Sequence, residues 1–354
     1  LNLKNKKTKY WIPKVNVDQK LSYEDAVDGV NEKIIKSLNL RMRSDVPLAF
    51  CLSGGVDSGL LASHAKKTLN KNISTFSIID NDQRYDEKDN INAVVDDLKC
   101  NSNIIEIDKK QNLFFERLKN LTHYHDGPIA TISYYVHSFL SENISKNKFK
   151  VAISGTGADE LFTGYHDHYL LHMQSVYKTK HYEDCLKTWK KYILPNIRNS
   201  FLKNHMIYID DPNNRDLVYE KNLNIYKYSF ANDNQKFSEV DYCKDLLRKR
   251  MLNELFHEVV PVILKHDDLN SMYYSIENRS PYLDRELLEF SLKIPSHLMI
   301  SDGFQKKILR DSAKNILIDK IRLDRQKKGF NASINSLLNL DDSDISNFIF
   351  DKKS

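Results

Sequence analysis

The feature that most constrains this chain is a hexapeptide at the end of its first apolar run. Val46 to Leu52 is almost unbroken hydrophobic sequence. It ends in Ser53-Gly54-Gly55-Val56-Asp57-Ser58, after which Leu60, Leu61, Ala62, Ala65 and Leu69 recur at helical spacing. A short run without polar alternation fits a strand buried on both faces, as inside a parallel sheet. A strand that turns through two glycines directly into a helix aims backbone N–H groups and the positive helix end at one point, where phosphate binds well. Ser53 and Ser58 add hydroxyl donors, and Asp57 adds a carboxylate suited to Mg²⁺ beside phosphates. No lysine follows the glycines, so this is not the Gly-x4-Gly-Lys-Ser/Thr loop, and the Gly-x-Gly-x-x-Gly spacing is absent as well.

The elements that follow extend the pattern. Residues 22–41 have helical periodicity, and strands are expected at 73–79, 103–107 and 151–153. Helices are expected between them, over 85–98, about 111–122 and 131–144. Alternating strands and helices predict right-handed βαβ units, hence an α/β, doubly wound parallel sheet. The strand at 151–153 runs into Ser154-Gly155-Thr156-Gly157-Ala158-Asp159-Glu160. Ligands of such sheets gather outside the carboxyl ends of the strands, so both glycine loops are expected to face one crevice. Asp159 and Glu160 then lie near the phosphates, although either is also suited simply to cap the helix. After residue 160 strand alternation fades, and 284–318 is again periodic as helix. The expected organisation is a linker at 1–20, an α/β core at 21–165, a helical part at 166–337 completing the active site, and a polar tail at 338–354.

Composition narrows the class. With 41% hydrophobic and 29% charged residues among 354, the chain is not disordered, coiled-coil or collagenous. No run approaches the roughly 18 apolar residues of a membrane span. The balance of 53 basic and 48 acidic residues suits a phosphate-bearing ligand without requiring nucleic acid. Cys51, Cys100, Cys185 and Cys243 lack the short spacing of a zinc or redox pair and fit a reducing, cytoplasmic setting. His123, His125, His166 and His168 lack further ligands at metal-site spacing and read as surface or cleft residues.

The hexapeptide resembles the Ser-Gly-Gly-x-Asp-Ser loop of the ATP pyrophosphatases, and four more segments sharpen the resemblance. Residues 154–165 resemble Ser-Gly-Glu/Asp-Gly-x-Asp-Glu-Leu-Phe-Gly-Gly-Tyr. Residues 275–284 resemble Leu-Glu-x-Arg-x-Pro-Phe-Leu-Asp. Asp302-Gly303 with Lys306, Leu309 and Arg310 fits the next helix, and Arg325 to Phe330 fits Arg-x-Lys-x-Gly-Phe. Together they are similar to the synthetase domain of glutamine-dependent asparagine synthetases, over about residues 10 to 335. The resemblance implies an ATP-pyrophosphatase fold with a helical C-terminal part. It implies a carbon–nitrogen ligase that uses ATP and Mg²⁺ to adenylate a carboxylate, by default aspartate. Ammonia then displaces AMP to give the amide. In that family Ser53, Gly54, Gly55, Asp57 and Ser58 hold pyrophosphate and Mg²⁺, Leu52 and Ser77 contact adenosine, and Ser154, Gly155 and Asp159 lie near nucleotide and metal. Glu277 and Lys327 match the catalytic pair. A fixed ammonium stabilises an oxyanion beside a departing phosphate, and a carboxylate orients it or takes a proton from the amine. Against this, Lys327 lies in a basic run that reads as a solvated face, Glu277 is placed to pair with Arg279 or Lys306, and Asp284 reads as a helix N-cap.

Departures from the family pattern bear on the substrate. Thr156 stands where Glu or Asp is usual, Thr163 replaces a usual glycine, and Gly127 replaces an acidic residue. Amidation of another acid, such as a uronic acid of a surface polysaccharide, or ring closure in a small metabolite, is therefore the nearest alternative. A non-catalytic nucleotide-binding homologue and a tRNA-modifying pyrophosphatase are further alternatives. Residue 1 is leucine, not the cysteine that opens the family's glutaminase half, and Tyr10-Trp11-Ile12-Pro13 resembles its interdomain linker. The expected partners are a small-molecule acid, ammonia from a glutaminase domain or free in solution, and a second copy as a homodimer.

Overall fold

The computed structural model describes residues 9–80, 82, 86–107, 113–215, 238–326, 333–339, 343, 345 and 346. Helix α1 (Tyr23–Arg41) leads into a sheet of five strands: β1 (Leu48–Cys51), β2 (Ser74–Ile79), β3 (Asn101–Glu106), β4 (Val151–Ile153) and β5 (Glu277–Arg279). Their order is β3-β2-β1-β4-β5 and every neighbouring pair is parallel. Helix α2 (Val56–Ser63) connects β1 to β2, α3 (Lys88–Leu98) connects β2 to β3, and α4 (Phe114–Tyr124) with α5 (Ile132–Lys146) connects β3 to β4. The chain winds outward from β1 through β2 to β3, then returns to the other side of β1 at β4. This is a doubly wound α/β fold with its switch point between β1 and β4.

Strand alternation sorts the side chains onto two layers. Phe50 and Ile153 pack into the larger core with Leu60 and Leu61 of α2 and with Ala26, Val30, Ile34 and Leu38 of α1. Ala49, Phe76 and Ala152 face the other way, onto Ile144 of α5 and onto Ile276. The buried positions of α1 recur every four residues, and its N-cap Ser22 accepts a hydrogen bond from the Asp25 amide at 3.0 Å. Beyond β4 come α6 (Ala158–Phe162), α7 (His166–Val176), α8 (Tyr182–Thr188), α9 (Ile207–Asp210), α10 (Leu246–Asn253), α11 (Val260–Tyr273), α12 (Arg285–Ser291) and α13 (Lys307–Ser312). Among the described residues no helix is long and apolar enough to cross a membrane.

The helical periodicity expected over 284–318 is realised as α12 and α13, separated by a connection in which Asp302, Gly303 and Lys306 have positive φ of 54°, 72° and 57°. The sheet also has a fifth strand that no hydrophobic signal announces. Glu277-Asn278-Arg279 is polar throughout and becomes a strand only by pairing with Val151, Ala152 and Ile153.

Burial of two histidines makes the fold sensitive to acid. Desolvation lowers His64, at the end of α2, and His172 of α7 from the ordinary 6.5 to about 4. Because the folded pKa is depressed, the contribution is fully present above the unfolded value and is lost as pH falls from 6.5 toward 4. His64→Leu is expected to remove part of the drop in melting temperature between about pH 7 and pH 5, up to ~2 kcal/mol in stability terms. An unchanged drop in this variant would contradict the assignment.

Candidate active site

The carboxyl ends of β1 and β4 each open into a glycine loop, and the two loops touch. At the first, the Ser53 amide donates to Ser58 Oγ at 3.1 Å and the two hydroxyls lie 3.1 Å apart, closing the turn. Gly54 has φ +78°, and a Cβ there would meet Glu87 and Asn90 at 3.1 to 3.3 Å, so the turn needs glycine. Gly55 is the N-cap of α2 and caps nothing with a side chain, which leaves the amides of the first turn directed outward. At the second loop, a Cβ on Gly155 would stand 3.2 Å from Asp57 Cβ and from the Ser58 amide nitrogen. Close approach of the loops therefore depends on Gly155.

The segment around β5 braces this junction from behind. The Ser154 amide donates to the Arg279 carbonyl at 2.9 Å, and Ser154 Oγ lies 3.1 Å from Ser280 Oγ. Tyr282, fully buried, donates its hydroxyl to the Asp57 carbonyl at 3.0 Å. Asp284 is the N-cap of α12, accepting from the Glu286 and Leu287 amides, as its sequence context predicted.

A cavity of about 290 Å³ opens over the two loops. Leu52, Ser53, Gly55, Asp57, Ser58, Ser77, Ser154, Gly155 and Asp159 all line it, so nine of the ten expected nucleotide contacts converge; Gly54 shapes the turn just behind them. Glu277 does not join them. Its neighbours Ile276 and Asn278 line the cavity, while Glu277 is 59% exposed in its side chain and pairs with Arg279 at 2.8 Å, a contact that holds its carboxyl below the ordinary range. Pairing with Arg279, one of the two alternatives weighed from the sequence, is what is found. Glu160 is also turned away. It is buried against the Tyr165 hydroxyl, and burial with the nearby Asp159 charge pushes it up to about 7. Lys327 lies outside the described residues, but the residues leading to it, Arg325 and Gln326, are in the cavity wall.

The residue that sequence reasoning passed over is Lys306. Its ammonium lies 2.6 Å from Asp57 Oδ2 and 2.7 Å from Asp159 Oδ1. Burial opposes the charge, but the carboxylates of Asp159 and Asp57 outweigh it and hold this lysine above its ordinary value. Its partner Asp57 is 249 residues away in sequence, so local pattern carries no trace of the pairing. A second pair in the wall was equally hidden: His137 Nδ1 of α5 lies 2.8 Å from Asp267 Oδ1 of α11.

Hard oxygen donors at Asp57 and Asp159 suit a divalent cation such as Mg²⁺, and the buried Asp57 Oδ1 makes no hydrogen bond to the protein. The Ser77 hydroxyl in the same wall is likewise buried without a protein partner. Among the described residues one trio, Asp167, His168 and Glu254, has ligand atoms close enough for a metal. Arg250 already fills it, at 3.3 Å from Asp167 and 3.0 Å from Glu254, while His168 bonds Glu254 at 2.6 Å. It is a buried ionic cluster, and His168 is neither a surface nor a cleft residue.

The family model for asparagine synthase matches residues 29–344. Asparagine synthetase [glutamine-hydrolyzing] 1 of Bacillus subtilis is 28% identical over 329 residues, 86% of this chain and 49% of that protein. Asparagine synthetase [glutamine-hydrolyzing] 3 of the same organism is 25% identical over 322 residues, 85% of this chain and 47% of its own length. The amidase chyE of Penicillium rubens is 22% identical over 351 residues, covering 85% of this chain and 51% of the amidase. The chain thus spans about half the length of the curated relatives it matches.

Proposed function

This chain belongs to the asparagine synthase family, and from that premise we propose that it is an ATP-dependent, amide-forming synthetase. A carboxylate oxygen of the acid attacks the α-phosphorus of ATP, pyrophosphate leaves, and an acyl-AMP forms. Ammonia, free or released from glutamine by a glutaminase, then attacks the acyl carbon, AMP leaves, and a proton lost from nitrogen completes the amide. The observation that carries this reading is the contact of the two glycine loops at the β1/β4 switch point, with Gly155 seated against Asp57 and Ser58. The first loop offers helix amides and hydroxyls to the β- and γ-phosphates, and Leu52 and Ser77 lie where the adenosine would rest. Asp57 and Asp159 would hold Mg²⁺, whose charge neutralises the leaving pyrophosphate. Lys327 is assigned the developing oxyanion. A cytoplasmic setting and a homodimer remain part of the proposal.

Aspartate is the default acid. Thr156 favours a second reading, because it puts a neutral hydroxyl, bonded by Ser154 Oγ at 3.3 Å, where the family usually places a carboxylate. Pyrophosphate release from ATP, Mg²⁺ and ammonium chloride, with and without aspartate, tests both. Aspartate-dependent release with asparagine as product is the expected result. Binding of ATP without aspartate-dependent release would reject aspartate and direct the assay to uronic-acid substrates. Failure to bind ATP would overturn the synthetase reading.

A further inference from the structure

Lys306 stands at the one point where Asp57 and Asp159 converge, and it is wedged there. The residue is 6% exposed. Its backbone is left-handed, with φ 57° and ψ 34°, which side chains other than glycine adopt seldom. The Thr163 hydroxyl accepts from its amide at 3.4 Å. Gly164 closes the remaining side, since a Cβ there would come within 2.4 Å of Lys306 Cε. Both ammonium contacts, at 2.6 and 2.7 Å, are charge-assisted hydrogen bonds of ordinary length.

The same two carboxylates are those assigned above to the divalent cation. An ammonium and a divalent cation do not share them at full strength. A bare cation entering this site either lies against the ammonium or drives it off its partners, leaving a buried charge unpaired. Breaking a buried pair in that way weakens an equilibrium by about two orders of magnitude or more. A triphosphate changes the balance, because it brings anionic oxygens into the same cavity to which a displaced ammonium turns. We propose that Lys306 is a resident counter-ion that keeps divalent cations out of the nucleotide-free site and yields Asp57 and Asp159 only when cation and nucleotide arrive together. Cation entry and nucleotide entry are thereby coupled events, and the ammonium passes from carboxylate to phosphate oxygen without being left unpaired. Asp57 Oδ1, which has no protein hydrogen bond, is the first ligand atom offered to the incoming cation.

This inference rests on the nucleotide reading of the site, and the test separates the two. Mn²⁺ retained by the protein is measured by equilibrium dialysis, with and without a non-hydrolysable ATP analogue. Binding of the analogue is measured in parallel. Wild-type protein is expected to hold Mn²⁺ about 100-fold more tightly with the analogue than without it. Lys306→Met, similar in length and uncharged, is expected to bind Mn²⁺ without the analogue about 100-fold more tightly than wild type. Equal Mn²⁺ binding by wild type in both conditions overturns the proposal, and this arm needs no variant. A Lys306→Met protein that melts cooperatively yet gains no Mn²⁺ affinity also overturns it. Binding of the analogue without any Mn²⁺ retention removes the metal assignment and the counter-ion with it. No binding of the analogue rejects the nucleotide reading itself.

Discussion

Gly164→Ala is expected to damage the site more than a methyl group added at any other described glycine. Its Cβ would lie 1.6 Å from Asp159 Oδ1, 2.5 Å from Asp159 Cγ and 2.4 Å from Lys306 Cε. Neither neighbour has an easy way out. Asp159 is tied to Lys306, and Lys306 is buried between two carboxylates. The methyl forces at least one of these contacts to break, which places an imperfectly paired charge inside the protein. Overpacking and loss of a buried ionic contact together predict a destabilisation of about 3 kcal/mol and at least a tenfold loss of ATP affinity. Thermal unfolding and nucleotide titration measure the two effects. Gly127→Ala serves as control, because its Cβ would meet nothing closer than the His125 carbonyl at 4.0 Å. If Gly164→Ala behaved like Gly127→Ala, the crowding described around Lys306 would not exist in solution.

Lys327→Ala is expected to have the largest effect on turnover and little effect on binding. The reaction needs fixed positive charge at the oxyanion of the acyl intermediate, and removing one such donor lowers rates by about 10²- to 10³-fold. ATP affinity should stay near the wild-type value, since the phosphate loops are built from other residues. Amide formation is measured with whichever acid supports pyrophosphate release, and ATP binding is measured alongside. Equal losses in turnover and in ATP affinity would move Lys327 into the nucleotide grip, and unchanged turnover would remove it from the chemistry. The two lysines should therefore separate by experiment, Lys306 through cation and nucleotide entry and Lys327 through the acyl step.

What could be read in advance follows from how local each signal is. The strands at 48–51 and 151–153 are short apolar runs, 74–79 ends in one, and Gly54 and Gly157 serve turns of positive φ, so sequence alone located these features. Gathering of Ser53, Asp57, Ser154 and Asp159 around one crevice followed from the rule that open parallel sheets bind at their carboxyl ends. The pairing of Glu277 with Arg279, two residues on, was one of the alternatives open from the sequence, and alternation along β5 turns Asn278 to the cavity. Legibility ends where a contact depends on a distant partner. Lys306 stood out only as a motif residue and a possible partner of Glu277, because nothing near it in sequence reports Asp57 or Asp159. Thr163 is a related case. Its φ of +65° explains why glycine is usual there, and this β-branched residue is held in the strained region by a fully buried setting.

The lateness of β5 has a consequence for how the protein is made. Residues 48–162 contain four strands and both glycine loops, but β4 lacks its outer partner and the second loop lacks its brace until residues 277–282 are available. During synthesis the emerging chain therefore carries an open sheet edge at β4 for more than a hundred residues, a state prone to pairing with the wrong strand. Closure of that edge is a contact of very long sequence separation, the kind that slows folding. The phosphate crevice is thus completed only once residues 277–306 have joined it. A fragment ending after the second glycine loop, although it holds nearly every recognisable nucleotide motif, would emerge with its site unbraced and its sheet unfinished.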